Sequence, residues 1–305
     1  MSAASTLFSV VVCTYNRARY LGPMLESFYA QPLDEISFEL LVIDNRSTDE
    51  TRAVADTFSA RPGFRYLYES EQGLSHARNR GLAEAQGEFV AYLDDDVLLS
   101  PDWLRGLAQC FAETGADVVG GRSLLRFEQT PPPWFGPEFR KMLSEVDLGE
   151  VRRSAGDGRR LYGLNLAYRK SALESIGGFD TRYGRTGGQL LAGEDLRANA
   201  AIAAAGGTLF YEPDALVHHC IPPERCEWDY LLRLAVVGAD TRLALDAEAP
   251  LGRRVLACAE AAFKFAAAAA GRGLAAGSSY TGRSRSIAMA RHGRLARGYF
   301  ASLLR

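Results

Sequence analysis

Five short runs in the first half of the chain are β-branched or aromatic and either alternate with polar residues or stay apolar. They are "FSVVVC" (Phe8–Cys13), "FELLVID" (Phe38–Asp44), "FRYLYE" (Phe64–Glu69), "EFVAYL" (Glu88–Leu93) and "DVVGG" (Asp117–Gly121). Each has the length and composition of a strand. Between them the spacing turns helical, as in "SHARNRGLAEAQ" and "PDWLRGLAQCFAETG". For the second of these, Ser100 is the expected N-cap and Pro101 the expected first-turn residue. This alternation predicts an α/β domain, a mostly parallel central sheet flanked by helices. Such sheets bind ligands beyond the carboxyl ends of their strands, and there stand Asp44 and the triplet Asp94-Asp95-Asp96.

Residues 122–160 interrupt the rhythm. The prolines of "FEQTPPPWFGPEF" lack backbone donors and exclude an interior helix or central strand, so a long surface loop is expected. The α/β pattern resumes with "LYGLNLAYR", "IGGFD", "GEDLRANAAIAAAG" and "TLFYEP", and the chain reads as helical after Pro223. Two domains are therefore expected, residues 1–222 as the α/β domain and 223–305 as a helical extension.

At 305 residues, 47% hydrophobic and 24% charged, the composition is that of a globular protein able to bury a large core. The five cysteines are scattered, odd in number and without a CxxC pair, which predicts reduced thiols in a cytoplasmic setting. "HHC" at His218–Cys220 fits no zinc spacing. The N-terminal segment has no basic region before its apolar run and reads as a strand, not a signal peptide. No uncharged apolar run reaches the ~20 residues of a membrane span. The net charge of −2 hides an asymmetry: residues 252–305 hold ten Lys/Arg and one acidic residue, Glu260, leaving about −11 on the remainder.

Clustered carboxylates need a counter-charge, which hard divalent cations with oxygen ligands provide. Mg²⁺ or Mn²⁺ takes one or two protein carboxylates and completes its shell with water and phosphate oxygens. The triplet therefore suits a metal–diphosphate, although a charged strand end serving as a helix cap accounts for it equally well. Glu194-Asp195 opens a helix, where the dipole favours acidic residues; its other reading is a general base. No GxGxxG follows the first strand and no GxxxxGK[ST] occurs, which argues against dinucleotide oxidoreductases and P-loop enzymes. The first strand instead ends in "CTYNR", with hydroxyl, aromatic and cationic groups.

Six segments in this order, "VVVCTYNR", "LLVIDNRSTDET", "GLSHARNRGLAEAQGEFVAYLDDD", "GLNLAYRKSALESIGGFD", "GED" and "PDALVHH", resemble glycosyltransferase family 2, inverting nucleotide-sugar transferases of the Rossmann-like GT-A fold. The resemblance runs from about Phe8 to Ile221, and the "PPPW" loop and "LLAGED" resemble the bacterial and cyanobacterial branch that builds surface polysaccharides. It implies that Thr14, Tyr15 and Arg17 line the nucleoside pocket and that Asp44 accepts a ring N–H of the base. Arg78 approaches the diphosphate, Asp94 or Asp95 faces the ribose or sugar, and Asp96, with Asp94, holds Mg²⁺ or Mn²⁺. Asp195 is the implied base, with Glu194 positioning hydroxyls. His219 is an implied metal ligand or diphosphate contact, although His218 competes for the role. Asn165 and Gly163 either floor the sugar pocket or simply pack the strand.

The implied donor is a UDP-, GDP- or dTDP-sugar and the implied acceptor a glycan or lipid-linked hydroxyl. On a helical wheel Arg291, Arg294 and Arg297 share one arc of Ile287–Leu304, opposite Leu295, Tyr299, Phe300, Leu303 and Leu304, with Ile287 out of place. Such a helix either lies peripherally on the cytoplasmic face of the inner membrane or packs on the protein. Nucleic acid is not an expected partner. The alternatives are a sugar nucleotidyltransferase, whose glycine-rich opening loop "CTYNRARYLG" lacks, and a non-catalytic nucleotide-sugar or glycan-binding scaffold.

Overall fold

The structure, a computed structural model, describes residues 7–33, 36–156, 161–186, 192–247, 249–270 and 282–304. In chain order it runs β1 (Leu7–Thr14), α1 (Ala18–Tyr29), β2 (Ser37–Asp44), α2 (Thr51–Asp56), β3 (Phe64–Tyr68), α3 (Leu74–Glu84), β4 (Phe89–Asp94), β5 (Val97–Leu99), α4 (Trp103–Thr114), β6 (Val118–Phe127) and α5 (Pro137–Arg140). It continues β7 (Arg153–Ser154), β8 (Asn165–Arg169), α6 (Lys170–Ser175), α7 (Glu194–Ala204), β9 (Leu209–Ile221), α8 (Trp228–Leu245), α9 (Leu251–Ala269) and α10 (Gly282–Leu303).

The strands form one sheet in the order β3-β2-β1-β4-β8-β6-β9-β5, with β7 on β9. β3, β2, β1 and β4 are mutually parallel, whereas β8 runs antiparallel to β4 and to β6. Both faces are covered, so β1 sends Val10 and Val12 into one core and Val11 into the other. A sheet buried on both sides selects the continuous apolar runs seen in the sequence. The register then builds an edge: Thr14 lies opposite Asp44 and Cys13 opposite Asp94. Three neighbouring parallel strands thus deliver their last residues to one place.

Two local expectations change. Helix α4 begins at Trp103 with Asp102 as its N-cap, not at Pro101 with Ser100 as the cap. The Ser100 carbonyl accepts the Trp103 N–H at 3.2 Å, so Pro101 and Asp102 form a turn ahead of the helix. Within residues 122–160, β6 extends to Phe127 because it gains β9 as a neighbour, and the proline-rich segment follows it.

The chain divides into two compact units. The first contains Met1–Arg126, Ser144–Gly188 and Glu194–Cys220; the second contains Phe127–Leu143, Gln189–Gly193 and Ile221–Arg305. In the second, α8, α9 and α10 close on Ala239, Ala261, Leu295 and Tyr299. Small side chains let the helices approach closely. Arg294 of α10 pairs with Asp240 of α8 at 2.6 Å, and the Tyr299 hydroxyl donates to Asp246 at 2.5 Å. Part of the apolar arc of α10 is therefore spent on packing: Leu295 and Tyr299 are buried, as is Ile287 outside that arc.

His292, half-buried in this bundle, has its pKa pushed down from 6.5 to about 4 by burial and by Arg291 and Lys264. Below pH 6.5 the unfolded chain takes up a proton that the folded one refuses until about pH 4, so stability falls as pH drops through that window. A thermal melt of the full chain followed from pH 7 to pH 4 should show this loss, and His292→Asn should flatten it.

Candidate active site

The triplet sits where β4 ends and the chain turns back into β5. β5 pairs antiparallel with β9, setting Val97 opposite His219 and Leu98 opposite His218. Successive strand residues face opposite ways, and it is His219 whose Nε2 lies 3.5 Å from Asp96 Oδ1. This resolves the ambiguity of "HHC" in favour of His219 as the neighbour of the triplet.

The aspartates share two cations of the protein, Arg17 and Arg78. Arg17 donates to Asp96 Oδ2 at 2.8 Å and its Nε stands 3.6 Å from Asp95 Oδ1. The Thr14 hydroxyl donates to Asp95 Oδ2 at 2.7 Å. Asp94, the outer member with its side chain 38% exposed, has Arg78 Nη2 at 3.6 Å. Burial, then the adjacent Asp96 charge, push the Asp95 carboxyl up to about 7 despite Arg17 and Thr14. Arg17 was expected in the nucleoside pocket; the structure places its guanidinium on the triplet.

Arg78 connects this edge to the second acidic pair. Its Nη1 donates to Glu194 Oε1 at 2.5 Å, across 116 positions of sequence, and both side chains are buried. Burial and then Asp195 raise the Glu194 pKa, while Arg78 opposes them. Glu194 Oε2 is buried without a hydrogen-bond partner among the described residues. A buried acceptor left open in this way costs stability unless a ligand donor meets it. Asp195 accepts the Gly163 N–H at Oδ2 and the Leu196 N–H at Oδ1, both at 2.7 Å. Two backbone donors hold the carboxylate in one orientation and leave each oxygen a second lone pair.

Gly163 has a reason to be glycine. A Cβ there would overlap the Arg78 guanidinium, while its N–H orients Asp195. Gly163→Ala is expected to displace Arg78 and Asp195 together and to lower kcat by about a hundredfold, the cost of roughly 1 Å of misplacement. Steady-state kinetics with the fold checked by circular dichroism would test this, and an unchanged kcat would reject it. Asn165 plays a different part. Its Oδ1 accepts from Trp103 Nε1 at 2.8 Å, and its Nδ2 donates to the Arg122 and Ala215 carbonyls. Fully buried, it ties strands and helix together, which is the packing role.

The remaining pocket residues stand at the ends of β1 and β2. Asp44 accepts the Tyr66 hydroxyl at 2.6 Å and the Ser47 N–H at 2.8 Å, and Arg52 lies over the Tyr66 ring. Tyr15 is 39% exposed, an aromatic face left to solvent at the strand end. Asn16 takes a left-handed backbone (φ 52°) and accepts the Thr48 N–H at 2.7 Å, while its own N–H donates to Ser47. Asp49 accepts from Ala18 N–H and Thr51 N–H. These residues, which sequence reasoning passed over, lace the two loops into one rim; their signal was the run of Asn, Ser, Thr and Asp in "DNRSTD" and "TYNR".

Asp94 and Asp96 offer carboxylate oxygens, the ligand type a hard divalent ion takes, and His219 stands beside Asp96. Among the described residues no three His, Cys, Asp or Glu side chains form a ready-made cage. Such an ion completes its shell from ligand phosphates and water.

A Rossmann-like sheet with carboxylates at the ends of its parallel strands, facing a second acidic pair at a helix start, defines the GT-A class. The chain belongs to glycosyl transferase family 2, whose pattern matches residues 9–177, and it is accordingly a glycosyltransferase. It is 31% identical over 248 residues to the succinoglycan biosynthesis protein ExoM of Rhizobium meliloti, covering 80% of this chain and 76% of that one. To a glucosyl-dolichyl phosphate glucuronosyltransferase of Haloferax volcanii it is 28% identical, covering 73% and 72%. In structure it is similar to a mannosyltransferase from Pyrobaculum calidifontis in complex with GDP-Man and Mn²⁺ (TM-score 0.58, 20% identity, 99% of this chain and 75% of that one). It is also similar to Staphylococcus aureus TarS 1-349 in complex with UDP-GlcNAc (TM-score 0.55, 19% identity, 77% and 66%). At these identities the likeness establishes the shared GT-A fold.

Proposed function

We propose that the enzyme moves a sugar from a nucleotide-sugar donor to a hydroxyl of a glycan or lipid-linked acceptor in polysaccharide or glycolipid assembly, with inversion at the anomeric carbon. The observation that carries this reading is the buried Arg78, which joins the donor-side Asp94 to the base-side Glu194. A site for one-step displacement needs both sides held at a fixed separation, and Arg78 supplies that link.

Tyr15 offers its exposed ring to the base, and Asp44 retains lone pairs for a ring N–H. Asp94 and Asp95 face the ribose and sugar. Asp96, Asp94 and His219 hold Mg²⁺ or Mn²⁺, which when bound neutralises charge gathering on the leaving diphosphate. Arg17 and Arg78 add fixed positive charge at that edge. Asp195, oriented by the Gly163 and Leu196 N–H groups, takes the acceptor's proton as its oxygen attacks from the opposite face. Glu194 Oε2 accepts a hydrogen bond from a sugar hydroxyl.

The relatives supply the context. One is named for succinoglycan biosynthesis and another as a glucosyl-dolichyl phosphate glucuronosyltransferase, a glycan and a lipid-linked acceptor respectively. All five cysteines are free thiols, which fits a reducing compartment. We place the enzyme in the cytoplasm, in peripheral contact with the inner membrane through its C-terminal helices. No helix among the described residues is long and apolar enough to cross a membrane.

A panel of UDP-, GDP- and dTDP-sugars with and without Mg²⁺ or Mn²⁺ tests the reading. Slow, metal-dependent release of nucleoside diphosphate from one donor is expected. Pyrophosphate release from a nucleoside triphosphate and a sugar phosphate would point instead to a nucleotidyltransferase, and binding without any turnover to a scaffold.

A further inference from the structure

Helix α9 packs the wrong way round for a helix that ends in water. At 100° per residue its arc of Ala257, Ala261 and Ala268 turns inward, and Ala261 and Ala268 are buried. The outward arc carries Leu251, Val255, Leu256 and Phe263, with no charge between them. Leu251 is 63% exposed, Leu256 73% and Phe263 66%. A water-facing helix normally places its large apolar residues on the packed side. The Arg254 guanidinium bonds the Ser302 carbonyl, so the end of α10 lies beside the start of α9, and Phe300 and Leu304 at that end are exposed as well. Contiguous exposed apolar surface of this kind marks an interaction site.

We propose that this face of α9 is a docking surface for an anionic lipid bilayer, with Leu251, Leu256 and Phe263 entering the acyl boundary. The helix of 19 residues, about 28 Å long, lies in the plane of the interface. Charge selects the occupant. Residues 252–305 carry ten Lys/Arg against Glu260, and Arg253, Arg283, Arg285, Arg291 and Arg297 are exposed. An anionic headgroup layer complements that charge, whereas a second copy meeting face to face opposes like charges. The proposal rests on the reading of a lipid-linked acceptor and locates the membrane contact on α9, not on the arginine arc of α10, where Arg294 is already paired with Asp240.

The test uses the full chain, co-sedimented with vesicles of phosphatidylglycerol and phosphatidylcholine or of phosphatidylcholine alone. The wild type should bind the anionic vesicles, and bind them more weakly as salt rises and shortens the Debye length. The double variant Leu256→Ser/Phe263→Ser should lose about tenfold or more of that binding. Its thermal melt and its turnover of a donor sugar with a water-soluble acceptor should be unchanged, since both side chains are exposed and outside the site. A double variant that binds as well as wild type overturns the assignment while leaving the transferase reading intact. A wild type that ignores vesicles and forms a dimer abolished by the double variant overturns it in favour of self-association. Vesicle binding without turnover of any donor would instead count against the transferase reading alone.

Discussion

Replacing Asp195 by asparagine is expected to abolish sugar transfer while leaving nucleotide binding in place. General-base catalysis accounts for about a hundred- to ten-thousandfold in rate, and the asparagine amide accepts no proton at its nitrogen. The variant has a second consequence that the geometry makes explicit. Both carboxylate oxygens of Asp195 accept backbone N–H groups, from Gly163 and Leu196. An asparagine has one oxygen, so its NH₂ must face one of those donors, at a cost of about 1–3 kcal/mol for the group left unsatisfied. A modest fall in melting temperature should therefore accompany the loss of transfer. The decisive comparison is donor affinity by calorimetry against kcat: affinity within a few-fold of wild type with transfer lost supports the base assignment, and full retained activity rules it out.

Asp96→Ala should act on the other half of the site. It removes a carboxylate that lies 2.8 Å from Arg17 and 3.5 Å from His219. Metal-dependent donor binding should disappear, while the weaker metal-independent affinity persists through Tyr15 and Asp44. The neighbouring Asp95, whose carboxyl Asp96 helps to push up, should become easier to ionise and take over Arg17. Local charge is thus partly restored and the fold retained, so the defect should appear in binding and not in the melt. Titrating donor at several Mn²⁺ concentrations measures it; a metal dependence equal to that of wild type would show that Asp96 does not hold the ion. The contrast between the variants is diagnostic, because Asp195→Asn should spare donor binding and Asp96→Ala should not.

Sequence pattern and tertiary structure contributed different parts of this account. β1, β2, β3 and β4 were legible because strands buried on both faces must be apolar and β-branched over several residues, which leaves a strong local signal. Asp44 and Asp94 at their ends were legible for the same reason, since register follows once the strands are parallel neighbours. β5 was not, because three residues are too few to show alternation, yet β5 is what sets His219 beside Asp96. The α4 start was misplaced by a short-range rule: serine followed by proline also describes a turn, and here the turn forms.

By itself the sequence determined the strand–helix order, the carboxylates at the strand ends, the acidic helix start and the basic, helical C-terminal part, all properties written in local periodicity and residue type. Only the tertiary structure decided that Arg78 bridges Asp94 to Glu194, that Gly163 must lack a side chain to admit it, that Arg17 serves the triplet, and that α9 turns its large apolar residues outward. The physical reason is common to all four. Each depends on which side chains meet across long sequence separations or on which face of a helix is buried, and packing settles that where local pattern leaves it open.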